Sequence, residues 1–136
     1  LLGGRTGFFV FRGPHHDRWI DNWFIAAHPG NPLIGKWSED YSHYVTRLKK
    51  HPSTYFMMIY VLQWRLLREK ALRLAFHASG GLPSVPAFFL QAYLEGKADA
   101  APFVEAKAAG FPVSKLNWRL DMPEEELHAR LDALGV

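Results

Sequence analysis

Cysteine is absent from the sequence, which excludes disulfides and thiolate metal sites and leaves the redox compartment open. Long hydrophobic runs are absent too. The longest, Tyr55 to Leu62, is followed by Gln63 and Arg65 and falls far short of the roughly 20 residues that span a bilayer. Leu1-Leu2-Gly3-Gly4 has neither an initiator Met nor the basic n-region of a signal peptide, so the chain is expected to start inside a longer protein. Neither sign of charge dominates: 16 Lys and Arg against 13 Asp and Glu give a net charge of +3. That mild excess suits a phosphate-bearing ligand or an anionic membrane surface. It is too small to argue for nucleic acid, no nucleic-acid motif accompanies it, and nucleic acid is set aside as a partner. What is present is apolar: 49% hydrophobic and 15% aromatic residues over 136 positions. That suffices to pack the core of one domain and is not the composition of a disordered segment.

Gly7-Phe8-Phe9-Val10-Phe11-Arg12 is a short β-prone run closed by Gly13-Pro14, and reads as a buried strand. His15 to Arg18 reads as a polar loop, and Trp23 to Ala27 as a second short run, strand or helix. Pro29-Gly30-Asn31-Pro32 is a turn, with Pro32 suited to a first helical position. Leu33, Ile34, Trp37, Tyr41, Tyr44, Val45 and Leu48 then recur at helical spacing, with Arg47, Lys49 and Lys50 at the end where cations are favoured. His51-Pro52 breaks the chain and Ser53 is a fair N-cap. The next helix is predicted to run to about His77, apolar all round at first and amphipathic later. Ser79-Gly80-Gly81 ends it. Helices are predicted near 85–94 and 100–109, and a last one opening at Met122-Pro123-Glu124. Strands are thus expected mostly within residues 7–27, with 112–120 as a further candidate.

Three segments carry a family resemblance. The first is Ile20-Asp21-Asn22-Trp23-Phe24-Ile25-Ala26-Ala27, continuing through Pro29-Gly30-Asn31-Pro32-Leu33-Ile34 to Lys36-Trp37. The second is Thr54-Tyr55-Phe56 with the helix after it. The third is Pro112-Val113-Ser114-Lys115-Leu116-Asn117-Trp118. In order and spacing they resemble the capsular-polysaccharide-synthesis glycosyltransferases, which are related to the sugar-binding transferases that carry an Asp-x-Asp motif. The resemblance covers most of residues 7–120. It implies an α/β fold, helix-dominated with a few short strands, forming the C-terminal part of a GT-A-type nucleotide-diphospho-sugar transferase. Residues 1–136 would be a single domain and the acceptor-side half of the whole catalytic unit.

The implied function is transfer of a sugar from a nucleotide-sugar donor to a glycan acceptor in capsular or cell-surface polysaccharide synthesis. The family holds the donor diphosphate through a divalent metal, Mn or Mg, on its Asp-x-Asp pair. The six aspartates here are 17, 21, 40, 99, 121 and 132, and none forms that pair. The metal ligands are therefore expected upstream of Leu1, and this segment alone is expected to be inactive. The implied location is cytoplasmic, with a peripheral contact at the inner membrane face. The competing expectation is a non-catalytic helical interaction module peripheral to a membrane.

Candidate site residues each have a plainer reading. Glycosyl transfer needs a base for the acceptor hydroxyl or polar stabilisation of an oxocarbenium-like centre. Asp21 and Asn22 suit those two tasks, and spacing alone suits a cap or turn pair. Trp23 could stack on a sugar or base, or fill the core. The resemblance implies that Lys115 sits as a point charge on phosphate in a closing C-terminal loop with Trp118; Lys115 could equally be a solvated surface lysine. His28 is a further substrate-binding candidate. His15-His16-Asp17, with His28 and His43, has metal-capable side chains but no zinc spacing, so it reads as a surface or acceptor-side loop. Arg65, Arg68 and Arg73 read as a solvated helix face, or else a membrane-surface contact.

Overall fold

The computed structural model describes residues 6–117 and 120–136. They form two compact units, Leu1–Pro83 and Ser84–Val136. The fold is mixed α/β and dominated by helices.

In the first unit, β1 (Phe8–His15) and β2 (Arg18–Ala27) form an antiparallel hairpin, and β3 (Gly80–Pro83) joins β1 in parallel. The order is β2-β1-β3. Being central explains the unbroken apolar run of β1, because such a strand buries both faces. Phe8 and Val10 face a core made with Ile20, while Phe9 and Phe11, of opposite parity, are buried on the other face. Helices α1 (Pro32–Thr46), α2 (Met57–Arg68) and α3 (Lys70–His77) supply the crossover to β3. They close the core with Leu33, Trp37, Ile59, Leu62, Leu66, Leu72 and Phe76.

The turn before α1 does more than reverse the chain. Asn31 is buried, and its side-chain oxygen accepts from the N–H of Leu33 at 3.0 Å, an N-cap bond. Its amide donates to the carbonyl of Thr6 at 2.8 Å, tying the helix start to the entry of β1. Pro32 follows at the first helical position, as its sequence context predicts. Asn31→Ala is expected to lower stability by about 1–2 kcal/mol, the upper range for a lost cap. Urea unfolding with an unchanged slope would measure it, and an unshifted midpoint would contradict it.

Several boundaries differ from the sequence reading, and β2 already begins at Arg18, at the end of the stretch read as a polar loop, rather than at Trp23. β1 does not stop at Gly13-Pro14 but runs to His15, with Gly13 at φ +63° and an irregular register after Arg12. The long helix predicted after Ser53 starts at Met57 and is two helices, broken at Glu69 (φ −115°, ψ 99°). No Pro or Gly marks this break. Arg73 supports it by donating to the carbonyls of Leu66 and Leu67 at 3.3 and 3.1 Å, which satisfies groups that a helix end leaves open. Finally, Gly80-Gly81 is a strand as well as a stop. The Arg12 side chain lies over Gly81 and donates to the carbonyls of Phe76 and Ser79 at 2.7 and 3.1 Å. A Cβ at Gly81 would also stand 3.0 Å from the carbonyl oxygen of Val10, so only glycine leaves room for this close approach.

The second unit holds a 3₁₀ turn (Val85–Phe88), then α4 (Phe89–Leu94), α5 (Ala101–Ala108) and α6 (Glu124–Ala133). Leu90, Leu94 and Phe103 form its core, with Leu120, Leu127 and Leu131 packed against them. Residues 111–117 have no regular structure, in line with the extended or irregular reading; the further strand allowed for at 112–120 is absent from them. Among the described residues, no helix is long and apolar enough to cross a membrane.

Candidate functional site

Strand β2 breaks its ladder where the sequence points. Val10 opposes Ile25 and Phe11 opposes Asp21, so Asn22, Trp23 and Phe24 are extra residues between two neighbouring pairs. Bulges of this kind re-aim side chains and recur beside active sites. Asp21 is 6% exposed and lies within the strand, so the cap-or-turn reading of it does not hold. A carboxylate so placed is costly unless partnered, and Asp21 does have interactions.

Aromatic packing fixes the bulge. The Trp23 ring stacks on buried Phe11 at 4.5 Å between centroids and 14° between planes. Phe24 meets Phe9 and Phe11 edge-on, each at 5.9 Å. One face of Trp23 is thus core, and its half-buried ring is held rigidly. Asn22, also half-buried, is the first residue of the bulge, between Asp21 and Trp23 in the chain.

His28 is exposed just beyond β2, and its N–H donates to the carbonyl of Gly7 at 2.8 Å. Its ring lies against the α-carbon of Gly7, which has φ +59° and no room for a side chain. Asp21, Asn22, Trp23 and His28 therefore share one strand and its exit. Lys115 belongs to the second unit, where its N–H donates to the carbonyl of Ala87 at 2.7 Å and its ammonium lies 5.1 Å from the Phe88 ring centroid. Lys115 is half-buried rather than freely solvated. Trp118 lies outside the described residues.

The hairpin tip is better built than its sequence suggests. His15 Nδ1 and Asp17 Oδ1 are 2.6 Å apart, and the Tyr60 hydroxyl donates to Asp17 Oδ2 at 2.6 Å. Gln63 accepts from the N–H of Trp19 at 2.8 Å and donates to the carbonyl of Asp17 at 3.0 Å. Arg18 covers the Phe56 ring at 3.8 Å. Tyr60, inside the apolar run, and Gln63, directly after it, lie three apart on α2, and the sequence reading gives them no role. That polar pair on one helix face was the available signal.

The bond from Tyr60, and then that from His15, hold Asp17 at about 2, against an ordinary 3.8. Its folded value is depressed, so the stabilisation is present above about pH 4 and is lost as pH falls toward 2. Tyr60→Phe should therefore melt below wild type at pH 6, and the gap should close by about pH 2. A gap that persists in acid would contradict this account.

Among the described residues, no group of three His, Asp or Glu could hold a metal ion. Both Asp17 oxygens are already engaged by His15 and Tyr60, so the tip does not fit one. The arginines resolve separately: Arg65 binds Asp40 through two bonds, Arg73 caps α2, and Arg68 lies over Trp64 at 4.2 Å. Only Arg68 remains close to the solvated face that was expected.

A family model described as capsular polysaccharide synthesis protein matches residues 4–133. The chain belongs to that family, and a role in capsular polysaccharide synthesis follows from it. No curated protein and no solved structure matches the chain.

Proposed function

We propose that the chain is the acceptor-side part of a GT-A-type glycosyltransferase that moves a sugar from a nucleotide-sugar donor to a glycan. The observation that carries this reading is the bulge at residues 22–24, directly after buried Asp21, in a chain of the capsular family. Asp21 orients or deprotonates the acceptor hydroxyl, whose oxygen attacks the anomeric carbon as the nucleoside diphosphate leaves. Asn22 hydrogen-bonds a sugar hydroxyl. Trp23 and His28 line the acceptor side, and Lys115 and Trp118 serve the diphosphate. The sequence holds no Asp-x-Asp pair and the described residues hold no metal-binding cluster, so they do not fit the Mn or Mg that the resemblance implies; its ligands would have to come from residues outside this chain. The reaction is assigned to the cytoplasm, at the inner membrane face.

The test is release of nucleoside diphosphate by the longest polypeptide containing these residues, across a panel of nucleotide sugars. Release that rises with added glycan supports transfer; none with any donor, from a folded protein, overturns it. The isolated chain should bind nucleotide sugar weakly or not at all by calorimetry, with or without manganese. Micromolar, manganese-dependent binding would show that the donor site is within these residues.

The other reading, a non-catalytic module peripheral to a membrane, is favoured by exposed Trp64, Leu67 and Leu74 among arginines. Flotation with phosphatidylglycerol vesicles, without any transfer activity, would support it.

A further inference from the structure

Helices α1 and α2 enclose an open groove of about 690 Å³. Its walls carry three aromatic rings, Tyr44 from α1 with Tyr60 and Trp64 from α2, three basic side chains, His43, Arg47 and Arg65, and the carboxylate of Asp40. Aromatic walls with a few placed polar groups are the usual make-up of a ligand site. Two features make this one a built site rather than a gap between helices. Asp40 and Arg65 form a bidentate pair across the helices, with Nε to Oδ2 at 2.5 Å, and this fixes the spacing of the walls. Tyr60 is held through its hydroxyl by Asp17 at 2.6 Å, so its ring orientation is set before any ligand arrives.

Charge narrows the occupant. The Asp40 carboxylate is neutralised by Arg65 and kept below its usual range by that bond. That leaves Arg47 as the uncompensated charge among the described residues of the lining, with the His43 imidazole in the same wall. The adjoining hollow beyond Leu48 adds Lys49 and Lys50. The groove is therefore cationic and aromatic, and open along its side as a chain-like ligand requires.

We propose that this groove binds an anionic glycan, with sugar rings against Tyr44, Tyr60 and Trp64 and a uronate carboxylate at Arg47. The glycan class rests on the proposed function, so the experiment measures binding apart from transfer. The probe is an oligogalacturonate titrated calorimetrically into the chain, with maltoheptaose as its neutral counterpart.

Oligogalacturonate should bind at least about tenfold more tightly than maltoheptaose. Arg47→Ala and Trp64→Ala should each weaken it about tenfold or more, a loss of roughly 1.4 kcal/mol. Lys70→Ala, exposed at the start of α3 and not part of the groove lining, should leave it unchanged. Melting curves accompany each variant, and if Trp64→Ala fails to fold, the exposed Arg47 position decides. Equal losses from Lys70→Ala and Arg47→Ala would reduce the effect to general charge attraction and overturn the proposal. So would absence of binding, or Trp64-dependent binding of phosphatidylglycerol vesicles with none of oligogalacturonate. A chain that binds the probe as described while its longer parent transfers nothing would defeat the enzyme reading alone. A transferring parent whose Arg47→Ala variant binds normally would defeat this one alone.

Discussion

Asp21→Asn in the longest polypeptide containing this chain is expected to lower the transfer rate by about 10² or more, the usual scale of a lost general base. The exchange keeps the side chain's size and the strand that holds it. Asp21 opposes Phe11 in the ladder and is buried, so the amide should fit where the carboxylate was. Binding of the nucleotide-sugar donor should barely change. Asp21→Ala should lose the same activity and also about 1–3 kcal/mol of stability, the scale on which a buried polar group's interactions are lost. The pair separates chemistry from folding: near-normal transfer by a well-folded Asn variant would end the claim for Asp21.

Trp37→Ala is expected to give the largest loss of stability, roughly 3–5 kcal/mol. Trp37 is 4% exposed within the core of the first unit. Its indole N–H donates to the carbonyl of Met58 at 2.7 Å, so the side chain both fills the core and joins α1 to α2. Trp37→Phe keeps much of the packing and removes that bond, and should cost less, about 0.5–1.5 kcal/mol. Because these helices form the groove, the Ala variant should also lose oligogalacturonate binding. Denaturant titration orders the three proteins, and a Phe variant as weak as the Ala variant would shift the weight from packing to the hydrogen bond.

Local chemistry that dominates its surroundings was legible in the sequence. Pro32 at a helix start, the helical spacing from Leu33 to Trp37 and the buried run Phe8 to Phe11 all stand in the structure. What escaped was set by distant partners. The break at Glu69 depends on Arg73 reaching back to Leu66 and Leu67, and nothing in residues 65–70 announces it. Strand β3 exists because β1 offers an open edge and Arg12 closes over Gly81; Ser79-Gly80-Gly81 alone looks like an ending. In the candidate site, the cluster Asp21-Asn22-Trp23 was visible as residue types. The bulge that separates buried Asp21 from stacked Trp23 was not, because register is a property of two strands. The tie from Asp17 to Tyr60 spans 43 positions, and no local pattern encodes a contact at that range.

Mass spectrometry of a glycan acceptor after incubation with nucleotide sugars tests the central claim most directly. The longest polypeptide containing this chain should add the mass of one sugar residue per transfer, and its Asp21→Asn variant should add almost none in the same time. An acceptor left unchanged by the folded wild-type protein with every donor, or extended equally by both proteins, would contradict the account.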